Sequence, residues 1–281
     1  MEILDKNTIE EYMIPHLSKR KRGPKTKVPA YQLVMIILYR LKTGCQWRFV
    51  PIKDFTEGVE IKWSTVYKHF RKWTLDGSWE LMWTELVKHN HAYLDLSSVQ
   101  LDGSHTSVKR GGEAVGYQGR KASKTTNSLF LADNTGQMLA ISTPKAGSHH
   151  DLFEIDQSMQ EILGQLRAAA VNPKGLFLNA DAGFDAQVLR KICSEEEIEA
   201  NIKDNPRNTK DTLDTHDIYF DDELYKRRAV VEHANAWIDS FKSLLIRFET
   251  TIKSWIAFHF IAFACLFIKR IKNTLNMNLK L

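Results

Sequence analysis

Near residue 95 the hydrophobic pattern changes period, and that change limits the architecture more than any other feature of this sequence. Before it, apolar residues recur at three- and four-residue steps. Tyr31–Leu41 (YQLVMIILYRL) reads as a buried helix ended near Gly44, WSTVYKHFRKW as a second helix with Ser64 as its N-cap, and Ser78–His89 as a third. A short amphipathic helix around Ile9, Tyr12 and Met13 precedes them. After residue 95 come short apolar runs that suit strands: Leu94–Asp102, Ser128–Ala132, Met138–Thr143, Leu176–Ala180 and Ile198–Ile202. DNTGQ between the second and third is a hairpin signal. Helices are expected over Asp151–Ala170 and Ala186–Ser194, with polar loops over Gly103–Asn127 and Lys203–Asp222. Tyr225–Phe248 holds neither Pro nor Gly, and its apolar residues from Val230 to Phe248, Trp237 and Leu245 among them, form one stripe. It reads as one long helix with that stripe buried, followed by a last helix over Ser254–Asn273.

The second half therefore runs β-β-β-α-β-α-β-α. That is the element order of an α/β, ribonuclease-H-like fold: a mixed five-stranded sheet with flanking helices, antiparallel in its first three strands and parallel afterwards. Two domains are expected, an all-α N-terminal one over residues 1–90 and the ribonuclease-H-like one over 95–281, the C-terminal helices included.

Composition excludes several classes. A hydrophobic share of 43% and a charged share of 26% are those of a globular chain with a sizeable core. Cys45, Cys193 and Cys265 are far apart and form no CxxC, which excludes a disulfide framework or a cysteine zinc site and fits a reducing, cytoplasmic compartment. The opening MEILDKNTIEEYM is no signal peptide. Trp255–Ile268 is shorter than a membrane span and contains His259, so a buried helix is expected there.

The net charge of +5 is modest, but the cations are clustered. Ser18–Lys27 (SKRKRGPKTK) holds Arg20, Lys21 and Arg22, no apolar residue, and a Gly-Pro break. A flexible arm on DNA and a solvated linker fit it equally. In the helix opened by Trp63, Val66, Phe70 and Trp73 form an apolar back, while Lys68, Arg71 and Lys72 form a basic front. That is the pattern of a recognition helix, and also of an ordinary solvated face. Arg120 and Lys121 in the following polar stretch fit phosphate contact or a solvated loop.

Three acids carry the chemical expectation. Asp102 ends the first strand, Asp181 ends the fourth, and Glu232 lies on the long helix one turn from Arg228. In a ribonuclease-H-like sheet those two strands are neighbours, so the two aspartates stand side by side with Glu232 over the same end. Clustered carboxylates repel unless cations occupy the site, and hard oxygen ligands suit Mg²⁺ or Mn²⁺. Two such ions about 3.5–4 Å apart serve phosphoryl transfer. Beside these, Asp151 could be a further acid near the site and Asp185 a ligand, but both are expected as helix N-caps; His105 could touch metal or DNA but is expected as a loop residue, His149 and His150 as no metal pair, and Trp237 as core.

At these residues the chain resembles the DDE transposases of bacterial insertion sequences, the IS5 family within the IS4-like group. The resemblance rests on Asp102 in QLDGSHT, Asp181 in NADAGFD and Glu232 in RRAVVEHANAW. Tyr225, Arg228 and Glu232 keep the spacing of that group's Tyr-Arg-Glu-Lys signature, but Asp239 stands at the Lys position, with Lys242 one turn further on. GCQWRFVP, WSTVYKHFRKW and HHDLFEI are similar to other segments of the family, so the resemblance spans roughly residues 30 to 270. It implies a DNA transposase that cuts the ends of a mobile element and transfers the strands to target DNA. Asp102, Asp181 and Glu232 would be catalytic and hold two Mg²⁺ or Mn²⁺ ions. Tyr225, Arg228 and Lys242 would serve the DNA phosphates or orient Glu232. The partners implied are double-stranded DNA, both terminal inverted repeats and target, and a second copy of the chain on that DNA. A catalytically silent DNA-binding descendant and a nuclease without strand transfer are the competing readings.

Overall fold

The structure, a computed structural model, describes residues 3–19, 26–205 and 220–278. In chain order these form α1 (Lys6–Tyr12), α2 (Ala30–Thr43), α3 (Trp63–Leu75), α4 (Ser78–His89), β1 (Val99–Val108), β2 (Gly116–Gln118), β3 (Ser123–Asp133), β4 (Met138–Ile141) and β5 (Lys145–Ala146). Then follow α5 (Ile155–Ala168), β6 (Phe177–Ala180), α6 (Gln187–Glu195), β7 (Glu199–Ile202), α7 (Asp222–Lys226), α8 (Ala229–Asp239), α9 (Lys242–Leu245) and α10 (Ile252–Asn278). They group into two compact units. One takes in Met1–His91, Lys109–Gly112 and Ile238–Leu281; the other takes in Ala92–Val108 and Glu113–Trp237.

In the helical unit, α2 ends where the sequence requires. Gly44 takes φ 70°, a left-handed cap that costs glycine little, and its N–H donates to the Arg40 carbonyl at 3.0 Å. Helix α3 begins at Trp63 with Lys62 at the cap position and no side-chain cap, so Ser64 does not serve as expected. Helix α10 is long and apolar enough to cross a membrane, but 72% of its most apolar window is buried inside the protein. It lies against α4, α3 and α2. Phe258 stacks on Phe70 at 4.5 Å, and Phe263 and Phe267 meet the edge of Trp83 at 5.7 and 5.9 Å. This packing draws residues 238–281 into the N-terminal unit, whereas the sequence pattern grouped them with the strands.

The α/β unit holds a mixed sheet in the order β2-β3-β1-β6-β7, with β4 and β5 also paired to β3. Strands β1 and β3 are antiparallel from Val99↔Asp133 to Ser107↔Thr125, while β1 runs parallel to β6 and β6 parallel to β7. Antiparallel early strands and parallel crossovers in this order are the ribonuclease-H-like arrangement. The sheet extends beyond the five strands expected, because much of Gly103–Asn127 is strand and not loop: β1 continues to Val108 and β3 starts at Ser123. These segments are polar and lack the apolar runs that mark the other strands. The DNTGQ hairpin forms, closed by the Asp133 N–H to the Gln137 carbonyl at 2.9 Å.

The long helix expected over 225–248 is three shorter ones. Helices α7 and α8 part at Arg227–Arg228, and α8 stops at Asp239 before an extended Phe241. The second break falls where α2 claims the chain: Lys42 Nζ donates to Ser240 Oγ at 2.9 Å, and Ser243 Oγ donates to the Arg40 carbonyl at 2.9 Å. Tertiary hydrogen bonds here outweigh helix propensity, a weak local preference. The buried stripe is interrupted in the same way: Val231, Ala234, Ile238, Phe241 and Leu244 are buried, but Trp237, Leu245 and Phe248 are exposed. Trp237 is thus not core; its ring lies over the hairpin at Gly136, where an added Cβ would stand 3.1 Å from Cζ3.

Candidate active site

The parallel pairing of β1 with β6 sets the site. The register Val99↔Leu178, Gln100↔Asn179, carried two residues on, arrives at Asp102 and Asp181. Asp102 lies inside β1, opposite Phe130 of β3, and not at the strand's end. Asp181 follows β6 directly and caps a single helical turn, accepting the Gly183 N–H at 2.7 Å. Beneath them, buried Asn179 and Asn201 tie the next element to the sheet. Asn201 Nδ2 donates to Asn179 Oδ1 at 2.8 Å, and Asn179 Nδ2 donates to the Leu224 carbonyl at 3.0 Å. The Asp221 N–H donates to Asn201 Oδ1 at 2.8 Å, so α7 and the Tyr225–Arg228 segment start from a fixed point.

A third carboxylate stands here, Asp151, which the sequence reading assigns to a helix cap in preference to an acid near the site. Asp151 is not a helix cap, since α5 begins four residues later with Glu154 at the cap position. Its carboxylate packs directly over Gly103, where an added Cβ would lie 2.3 Å from Oδ1. Asn127 Nδ2 holds it at 2.7 Å, and His105 Nε2 lies 3.9 Å away. His105 is therefore a strand residue facing this carboxylate; burial lowers its pKa although Asp151 opposes that. The signal in the sequence was Gly103, an isolated glycine in a strand, which marks close approach by another group.

Burial pushes the Asp102 carboxyl up to about 6, against the Arg228 guanidinium and the Gly103 N–H, which hold it down; the charges of Asp151 and Asp181 push it the same way as burial. Helix α8 presents Asn235 to it, Nδ2 donating to Asp102 Oδ2 at 3.3 Å. Glu232, one turn earlier, is 67% exposed and lies 4.0 Å from Arg228. Arg228 in turn sits 5.9 Å from the Tyr225 ring centre. The fold thus brings Asp102, Asp181 and Asp151 together, and Glu232 joins through Arg228. Among the described residues no three His, Cys, Asp or Glu side chains stand close enough to enclose an ion. The donor set nonetheless suits a hard divalent cation: all its ligands are carboxylate oxygens, and their mutual repulsion weighs on Asp102.

The remaining candidates divide. Asp185 is no N-cap, because Ala186 holds that place; it pairs with Arg190 Nε at 2.8 Å and accepts the Asn205 N–H at 2.8 Å. Of the basic front of α3, only Lys68 is exposed. Lys72 is bound to the Ser18 carbonyl at 3.0 Å and to Asp76 at 3.1 Å, and Arg71 reaches Ser254 Oγ at 3.4 Å. Two of the three cations are thus engaged in holding the helical unit together. Lys242 is exposed at the start of α9, and exposed Lys121 donates to the His105 carbonyl at 2.5 Å. Arg20, Lys21 and Arg22 lie outside the described residues. His149 stacks on Phe153 at 3.6 Å, an aromatic contact and not a ligand pair.

Residues 7–83 match the family model described as "Putative transposase of IS4/5 family", and residues 88–267 match the transposase DDE domain. No curated protein matches the sequence. Among solved structures, the pre-cleavage Mos1 transpososome is 11% identical with a TM-score of 0.29, covering 89% of this chain and 81% of its own. The Mos1 transposase paired-end complex with the left transposon end is 12% identical at the same score, covering 89% and 80%. Likeness at that level carries no argument. The DDE-domain match spans more than half of the 281 residues and the other covers the helical N-terminus, so the chain belongs to the DDE transposases, of the IS4/5 type.

Proposed function

We propose that this chain cuts DNA at the ends of a mobile element and joins those ends to target DNA, using divalent cations held by Asp102, Asp181 and Glu232. One observation carries the reading: β1 and β6 run parallel in the register that sets Asp102 beside Asp181, where Asp102 is half-buried and the charges of Asp151 and Asp181 add to the burial that raises its pKa. Bound Mg²⁺ or Mn²⁺, two per site, supplies charge neutralisation for an in-line displacement at phosphorus. Water cleaves the scissile phosphodiester, and the freed 3′-hydroxyl attacks the target strand at the same site. Asn235 orients the Asp102 carboxylate through its 3.3 Å hydrogen bond. Arg228, placed between Asp102 and Glu232, offers its guanidinium to a DNA phosphate once cations meet the carboxylates, and Tyr225 braces it. Asp151 keeps Gly103 and the adjoining Asp102 backbone in place. The partners are double-stranded DNA, as terminal inverted repeats and as target, and a second protomer on that DNA in the cytoplasm. Lys68, Lys121 and Lys242 are exposed and serve the phosphate backbone.

The test is Glu232→Gln. It removes one carboxylate from an exposed position without disturbing the fold. End cleavage is expected to vanish while DNA binding persists; undiminished cleavage would sink the assignment of Glu232.

A further inference from the structure

The helical unit holds an open cleft of about 900 Å³ between the Gly44–Phe49 turn, α3 and the Phe248–Thr250 segment. That volume is in the range of small-ligand pockets. Its walls are aromatic: Trp47, Phe49, Trp63, Tyr67 and Phe248 all line it. Trp47 and Trp63 both pack on Tyr67, at 5.4 and 6.4 Å, so this wall is rigid. Phe49 stands 73% exposed at the mouth and Phe248 is 46% exposed, a large apolar surface left in water.

The polar groups are as specific. Arg48 lies over the Trp63 ring at 5.6 Å, and Arg110 also lines the cleft. Both are exposed, and neither forms a salt bridge among the described residues. The Arg110 segment is fixed by the neighbouring Lys109 N–H, which donates to the Arg247 carbonyl at 3.1 Å, and by Gly112 lying against the Thr250 backbone. In the floor, Arg40 is only 5% exposed and pairs with Glu249 at 2.9 Å. Arg40 Nε and Trp47 Nε1 are buried behind this floor with no hydrogen-bond partner among the described residues.

We propose that this cleft takes one unpaired nucleobase of a DNA strand, stacked on the exposed Phe49 ring, with Arg48 and Arg110 on its flanking phosphates. The proposal rests on the DNA-acting reading above. A base matches the walls because its π-face stacks on aromatic rings, and the Glu249 carboxylate in the lining can accept from its edge. A phosphate alone does not match, since the Glu249 carboxylate lines the same floor. The anionic backbone therefore stays at the rim, where the two free arginines are.

The test uses full-length protein without divalent metal, and two fluorescent probes: a short oligothymidylate and an abasic strand of equal length. The wild type is expected to bind the base-bearing strand about tenfold tighter, the low end of stacking contributions. Phe49→Ala, at an exposed position, should remove that preference while leaving abasic binding unchanged. Arg48→Gln should weaken both strands alike and lower the salt slope by roughly 0.7. Equal affinity of the wild type for the two strands, or a preference that survives Phe49→Ala, overturns the proposal. If neither strand binds while duplex element ends are still cut, the cleft inference falls and the transposase reading stands. If base preference is present but element ends are never cut, the converse holds.

Discussion

Asp102→Asn is expected to stabilise the metal-free protein above neutral pH, although it removes a proposed metal ligand. The folded-state pKa of Asp102 is about 6 against an ordinary 3.8. Because it is raised, the folded chain holds the proton more tightly than the unfolded chain does. Between these two values the unfolded chain has released it and the folded chain has not. Stability therefore falls as pH rises through that window and is level again above about 6. A difference of roughly two pH units, at about 1.36 kcal/mol each, gives about 3 kcal/mol. Asparagine keeps the shape and an acceptor for Asn235 and the Gly103 N–H but carries no charge to bury. Urea unfolding in the presence of a chelator, from below pH 4 to pH 8, reads the difference between variant and wild type. It should grow across the window to about 3 kcal/mol in favour of the variant. Added Mg²⁺ should shrink it, since an ion bound to the folded wild type offsets the cost of burying the Asp102 charge and, to a lesser extent, the repulsion by Asp151 and Asp181. A difference flat with pH, or a variant less stable than wild type at pH 8, would refute the claim that Asp102 is a destabilised, cation-ready carboxylate.

Two further expectations concern neighbouring positions. Gly103→Ala places a methyl 2.3 Å from Asp151 Oδ1, so the carboxylate must leave its seat; end cleavage should fall at least tenfold and stability by about 1–3 kcal/mol, read by nicking assay and urea midpoint. Lys68→Gln and Lys72→Gln should separate: the exposed Lys68 lowers the salt slope of duplex binding by about 0.9, whereas Lys72, held by Ser18 and Asp76, leaves the slope unchanged and lowers stability by about 1 kcal/mol.

What the sequence revealed followed from short-range rules. Strand order was legible because the apolar runs before Asp102 and Asp181 are strongly patterned, and order alone makes them neighbours. Gly44 was legible because a left-handed cap has few other solutions. The failures were tertiary. Asp151 reaches the site only because the chain folds back over Gly103; that isolated strand glycine marks a close approach, but not which distant group makes it. The helix over 225–248 contains no breaker, so its interruption by the α2 hydrogen bonds at Ser240 and Ser243 could not be read locally. Trp237 shares a helical period with buried residues yet lies at the surface, because the hairpin at Gly136 covers only part of its ring. The basic front of α3 looked uniform, but Ser18, Asp76 and Ser254 engage two of its three cations.

The central claim is that the carboxylates gathered by β1 and β6 perform metal-dependent phosphoryl transfer on element ends. Labelled DNA carrying the element's own flanking ends, incubated with and without Mn²⁺, tests it most directly with wild type and Asp102→Asn. The account predicts nicking at the ends that requires Mn²⁺ and disappears in the variant while DNA binding remains. Binding without nicking by the wild type would contradict it and identify a silent DNA-binding descendant, with Asp239, at the family's lysine position, the first residue to change.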